Sequence, residues 1–157
     1  MKKVLFVCLG NICRSPSAEG VFKHKVEEAG LSEKIDVDSC GTTSHHEGEP
    51  ADVRMREHAK KRGYDLTSIA RGIQRSDFEE FDYIITMDNS NYNNVVAMAA
   101  DIQKHKIKKM TDFCSNHPHD QVPDPYYGGP EGFELVLDLL EDACQGLLSE
   151  LQAELER

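Results

Sequence analysis

No apolar run in these 157 residues is long enough to span a bilayer, and the mean hydropathy is −0.54, so a membrane-embedded helix is not expected. Positive charge is scarce: 18 Lys and Arg stand against 28 Asp and Glu, a formal charge of −10. A broad cationic face for nucleic acid or an anionic membrane is therefore excluded, and any bound anion must be held locally. The five cysteines (8, 13, 40, 114 and 144) are odd in number and lack zinc spacing. Cys114, His117 and His119 have no second cysteine pair beside them, so neither metal nor cofactor is expected. Lys2-Lys3 before apolar residues imitates a signal peptide, but the apolar stretch ends at Leu9, short of a normal hydrophobic region. A cytoplasmic chain with reduced thiols is the default expectation. With no internal repeat, low-complexity tract or linker, residues 1–157 are expected to form a single domain.

The informative stretch is residues 8–15, Cys-Leu-Gly-Asn-Ile-Cys-Arg-Ser, between the apolar run Val4–Val7 and Pro16. Val4–Val7 reads as a short buried strand. Pro16 suits the first turn of a helix, where its missing N–H loses no partner. The loop between them must turn sharply, and Gly10 and Asn11 are the residue types that tolerate positive φ. Such a loop can point its amides inward as an anion-binding nest at a helix N-terminus. Leu9, Gly10, Asn11, Ile12, Cys13 and Ser15 are thus the expected phosphate-binding residues, with Arg14 adding a planar fork for two oxygens. The same setting favours the thiolate of Cys8, the form that attacks phosphorus. Ser15 is placed to hydrogen-bond that sulfur and ease its departure. A purely structural Cys8 would need none of these neighbours.

Along the rest of the chain strand and helix signals alternate. Strand-like runs cover Val4–Cys8, Ile35–Ser39, Tyr83–Met87 and Lys106–Met110. Helical patterns cover Ser17–Ala29, Ala51–Arg62, Asn89–Ala100 and Gly132–Leu155, with a short helix at Ser76–Glu80. Alternation of this kind predicts an α/β fold: a four-stranded parallel sheet with helices on both faces, and the phosphate loop at the end of the first strand. Ligand sites in such folds lie outside the carboxyl ends of the strands, where Cys8 falls.

Cleaving a phosphate monoester expels an oxyanion that needs a proton, so a general acid must face the nucleophile. Asp124, stiffened by Pro123 and Pro125, is the candidate, and burial against apolar walls is the expected means of keeping its proton. Asp beside Pro is also ordinary turn chemistry. Tyr126 and Tyr127 are placed to wall a slot for a flat ring, or to pack in the core.

The pattern Val-Cys-x-Gly-Asn-x-Cys-Arg-Ser-Pro over Val7–Pro16, with Asp124-Pro125-Tyr126-Tyr127 near the other end, resembles the low-molecular-weight protein tyrosine phosphatases over essentially the whole chain. The resemblance implies hydrolysis of phosphotyrosine in proteins through a phosphocysteine at Cys8, with Arg14 holding the phosphate and Asp124 as the acid. It implies phosphoprotein substrates, inorganic phosphate as product and a cognate tyrosine kinase as a possible partner. It also assigns Ser39 to the Asn11 side chain and Asp88 to the space behind the loop. Cys13 gains a redox role, pairing with an oxidised Cys8. Two positions depart from the family: His45 stands where a larger aromatic wall is usual, and Ser68 replaces a buttressing histidine. Three rival readings are a thioredoxin-coupled arsenate reductase, which needs two further relay cysteines; a protein-arginine phosphatase, which resembles this chain but carries threonine in place of Ile12; and a silent oxyanion-binding module, which would not need Asp124.

Overall fold

Val4, Leu5, Phe6 and Val7 are fully buried and form the heart of the first strand, β1 (Lys2–Cys8), in a computed structural model that describes residues 1–156. Successive side chains of a strand point to opposite faces. Val4, Phe6 and Cys8 accordingly enter one core, while Leu5 and Val7 enter another. A strand covered on both sides has no solvent face, which is why its sequence is a continuous apolar run.

β1 lies inside a four-stranded sheet with β2 (Ile35–Gly41), β3 (Tyr83–Thr86) and β4 (Ile107–Lys109), in the order β2-β1-β3-β4, every pairing parallel. The helices α1 (Arg14–Glu28), α2 (Val53–Lys61) and α5 (Pro130–Leu155) cover the first face, with Phe22, Met55, Leu137 and Leu140 in that core. The short α3 (Asp77–Glu80) and α4 (Asn89–Met98) cover the second, with Phe78 and Val95. The expected three-layer α/β architecture is the one found. Truncating Leu137 or Leu140, both fully buried, to Ala would cost about 2–5 kcal/mol. A Cβ at Gly146 would lie 2.1 Å from the Phe113 carbonyl oxygen, so that glycine is what lets α5 close on the preceding turn.

Element ends differ from the sequence pattern for local reasons. α1 starts at Arg14, three residues before the expected Ser17, because Pro16 is tolerated within a first turn. α2 starts at Val53 because the Asp52 carboxylate caps it, accepting from Arg54 N (2.9 Å) and Met55 N (3.2 Å). β4 is only three residues long because the chain winds into 3₁₀ turns on either side, Asp101–Lys106 and Met110–Phe113. The connection from β1 leads to β2 on one flank, whereas β3 lies on the other. The crevice at this reversal, outside the carboxyl ends of β1 and β3, holds Cys8, with Asp88 just past β3 bonded to Arg14.

Candidate active site

β1 delivers Cys8 to an open cleft of about 330 Å³, with the residue itself only 3% exposed. The chain then turns at Asn11, whose φ of 59° is the one positive value outside glycine among the described residues. Three hydrogen bonds hold that unfavourable backbone. Asn11 Nδ2 donates to Ser15 Oγ (2.8 Å) and Ser39 Oγ (3.0 Å), and Oδ1 accepts from Arg71 N (3.1 Å). Gly10, expected to share the positive φ, does not adopt it. A Cβ at Gly10 would instead sit 2.9 Å from the His46 ring, so glycine is needed there for close approach.

Ser15 Oγ lies 3.0 Å from Cys8 Sγ and 3.3 Å from the Cys40 carbonyl oxygen. Toward the Cys40 carbonyl the hydroxyl is the donor, whereas between Ser15 and Cys8 either atom can donate. α1 begins at Arg14 with no side-chain cap, whereas α2 and α4 are capped by Asp52 and Asp88. The first-turn amides of α1 therefore remain for a ligand. Arg14 is 2% exposed. Its Nη1 donates to Asp88 Oδ2 (2.6 Å) and to the Val122 carbonyl (3.0 Å), and Nη2 lies 3.7 Å from Asp124 Oδ2. Burial works against its charge, but Cys8, Asp88 and Asp124 outweigh it and raise the pKa above the usual arginine value.

Across the cleft Asp124 makes the turn bond the sequence allowed and also faces Arg14. Its Oδ1 accepts from Tyr126 N (3.1 Å), a turn bond, while Oδ2 faces Arg14. The expected burial against apolar walls is not present: the Asp124 side chain is 42% exposed. The two tyrosines divide the expected roles. Tyr126 is half-buried against the larger core, and Tyr127, 94% exposed, stands at the mouth with its ring edge-on to Tyr126.

Leu9, Gly10, Ile12 and Cys13 line the cleft with Cys8 and Arg14, while Asn11 and Ser15 lie buried beneath. His45 reaches the cleft but is exposed. The imidazole that meets Tyr126 is that of His46, at 6.4 Å between ring centroids, fixed by a 3.0 Å bond from Nδ1 to Glu49. The wall assigned to His45 is thus shared with its neighbour. Cys13 shares the cleft, but burial and then the nearby Asp52 push its thiol pKa up.

A family model described as low molecular weight phosphotyrosine protein phosphatase matches residues 3–157. The chain belongs to that family. It is 43% identical over 150 residues to a low molecular weight phosphotyrosine protein phosphatase of Schizosaccharomyces pombe, covering 95% of this chain and 96% of the relative. The crystal structure of a protein tyrosine phosphatase from Entamoeba histolytica superimposes with a TM-score of 0.97 at 51% identity, over 98% of this chain and 99% of that one. A Drosophila arginine phosphatase shares the fold at a TM-score of 0.89 and 34% identity, over 96% and 98% of the two chains. Fold alone therefore does not choose between tyrosine and arginine phosphatases. No helix among the described residues is long and apolar enough to cross a membrane.

Within this phosphatase cradle several contributors escaped the motif. Gly41 ends β2 so close to the loop that a Cβ would lie 2.7 Å from the Leu9 carbonyl oxygen. Buried Glu19 accepts from Ser39 Oγ (2.6 Å) and pairs with Lys23 (2.7 Å). Its position, one helical turn after Ser15, was the available clue. Arg71 completes the Asn11 amide with its backbone and ties Asp38 to Asp77 with its guanidinium. Ser68 contributes nothing comparable: its hydroxyl is buried without a hydrogen-bond partner.

Proposed function

We propose that this phosphatase hydrolyses phosphotyrosine in proteins, and small aryl phosphates, through a phosphocysteine at Cys8. The observation carrying this reading is the convergence of Cys8, Arg14, an uncapped helix N-terminus and Asp124 on one cleft. In the first step the Cys8 thiolate attacks phosphorus and the bond to the phenolic oxygen breaks. Asp124 gives that oxygen its proton. Nη1 of Arg14 is committed to Asp88 and Val122, so the Nε–Nη2 edge takes the equatorial oxygens together with the loop amides. In the second step Asp124 accepts a proton from water, which attacks phosphorus. The S–P bond breaks, inorganic phosphate leaves, and Ser15 donates to the returning thiolate. The exposure of Asp124 suits this second role, since water must reach it.

Tyrosine is favoured over arginine because Ile12, apolar and 9% exposed, lines the cleft and offers no hydroxyl for a guanidinium phosphate. Tyr126, Tyr127 and His46 give the substrate ring an aromatic rim. An arsenate-reductase relay is disfavoured because Cys40 and Cys144 are fully buried. Cys13 is assigned the protective role: its thiol condenses with a Cys8 sulfenic acid to a disulfide, releasing water. An odd set of five cysteines without zinc spacing supports a cytoplasmic enzyme with reduced thiols. The test offers phosphotyrosyl peptide, phosphoarginyl peptide and, with thioredoxin, arsenate to the purified protein. Turnover of the first alone is expected. Faster hydrolysis of phosphoarginine, or arsenate reduction, would overturn the assignment.

A further inference from the structure

Asp124 sits on an exposed loop, and its bond to Tyr126 N–H does not by itself set the loop against the cradle. Before the acid the loop is tied at Val122, whose N–H donates to the Met87 carbonyl (2.7 Å) and whose C=O accepts from Arg14; after the acid, the ties start on α2. Asp52 N–H donates to the Ile12 carbonyl of the phosphate loop (2.8 Å). The Asp52 carboxylate, besides capping α2, clamps Arg54 through Nε (3.3 Å to Oδ1) and Nη2 (3.1 Å to Oδ2). Arg54 Nη2 also donates to the Tyr126 carbonyl at 2.9 Å. The guanidinium carbon lies 5.4 Å from the Tyr126 ring centroid and 4.9 Å from that of Phe133, in the first turn of α5. Tyr126 is thus gripped on both sides of its backbone, N–H by Asp124 and C=O by Arg54.

We propose that Arg54 is a positioning residue for the general acid. It closes a ring of contacts from Ile12 through Asp52, Arg54, Tyr126 and Asp124 to Arg14, and so fixes the separation of acid and nucleophile. An exposed arginine–aspartate pair contributes little by itself. What distinguishes Arg54 is that one planar fork reaches the cap of α2, the Tyr126 carbonyl and two aromatic rings, a combination lysine cannot reproduce. The inference rests on the reading of Asp124 as the acid.

The experiment measures single-turnover phosphorylation of Cys8 by aryl phosphates of graded leaving-group basicity, in wild type, Arg54→Ala, Asp124→Asn and the double variant. Arg54→Gln is the second variant should Ala fold poorly. Misplacing a reacting group by about 1 Å costs up to ~10²-fold. Arg54→Ala is expected to slow phosphotyrosine cleavage about tenfold and an ester of a strongly acidic phenol by under about twofold. Inhibition by inorganic phosphate should hold, and Arg54→Ala should add nothing to the leaving-group slope once Asp124 is Asn. Equal slowing of both esters, or a wild-type slope, would overturn the inference. Amide hydrogen exchange of residues 123–129 judges it independently. Faster exchange in Arg54→Ala is expected, and unchanged exchange would refute the tether. If Asp124→Asn itself leaves the slope at the wild-type value, the acid assignment fails, and the exchange result still decides whether Arg54 holds the loop.

Discussion

Residues 8–15 and residues 123–127 face each other across one cleft, yet they are held in opposite ways. The cradle is buried: Asn11, Arg14 and Ser15 are at most 2% exposed, and each is bonded to strands or loops distant in sequence. The acid loop is exposed at Pro123, Asp124 and Tyr127, and beyond the Val122 anchor to Met87 its polar ties to the rest of the site are to two guanidinium groups, Arg14 and Arg54. The contrast matches the chemistry proposed for each side. Stabilising charge on a transferring phosphoryl group requires dipoles fixed in advance, away from water. Delivering a proton and then accepting one from water requires a carboxylate that solvent can reach.

The largest effect should come from the cradle's nucleophile. Cys8→Ser is expected to reduce turnover to background while inorganic phosphate or vanadate still raises the melting temperature, because amides and Arg14 bind the anion and sulfur alone makes the bond. Appreciable turnover in that variant would contradict the covalent route. Asp124→Asn should come next, slowing phosphotyrosine cleavage by about 10²–10³ with little change in anion affinity. Loss of anion binding there would mean the two sides are not separable.

Asn11→Ala would attack the cradle's framework. It removes three hydrogen bonds and places alanine at a φ of 59°, so it should cost about 2–4 kcal/mol of stability and lower activity roughly tenfold or more. Urea unfolding and steady-state kinetics measure both. A neutral result would show that the positive-φ turn is not what shapes the loop.

The smallest effect is expected on the approach to the acid loop. The Asp142 side chain, 4% exposed, accepts from Ser115 N (3.0 Å), Asn116 N (2.9 Å), His117 N (3.0 Å) and His117 Nδ1 (2.8 Å). Burial alone would raise its pKa, but these donors hold it well below the carboxylate range. A depressed folded pKa contributes stability above the unfolded value of about 3.9 and loses it as pH falls through the folded one. Asp142→Asn should therefore cost about 1–2 kcal/mol at neutral pH, with the gap from wild type narrowing below about pH 4 and kcat nearly unchanged. A large loss of kcat would show that this distant anchor also places the acid.

The sequence was most legible where function is contiguous. One ten-residue motif carried the strand end, the sharp turn and a helix close behind it, though the helix begins three residues earlier than the pattern put it, because a nest of neighbouring amides is a local structure. The alternation of elements was equally legible, since a sheet covered on both faces needs continuous apolar strands such as Val4–Val7. What escaped depends on distance in space. Gly41, Arg71 and Arg54 act through contacts with residues far along the chain, and no local pattern announces them; Glu19 offered only its place one helical turn after Ser15. The choice between His45 and His46 escaped for another reason: two adjacent imidazoles differ only in which one the loop turns toward Tyr126. The exposure of Asp124 was hidden because flanking prolines describe stiffness and say nothing of depth.

The most direct test of this division is rapid-quench mass spectrometry of wild type and Asp124→Asn mixed with a phosphate ester of a strongly acidic phenol. Such a leaving group needs no proton, so the cradle should phosphorylate Cys8 at nearly the same rate in both. Only the variant should then accumulate phosphocysteine, because its water lacks a base. Absence of phosphate on Cys8 in both proteins, or equally slow phosphorylation with no accumulation in the variant, would contradict a site built from a fixed cradle and a separable acid.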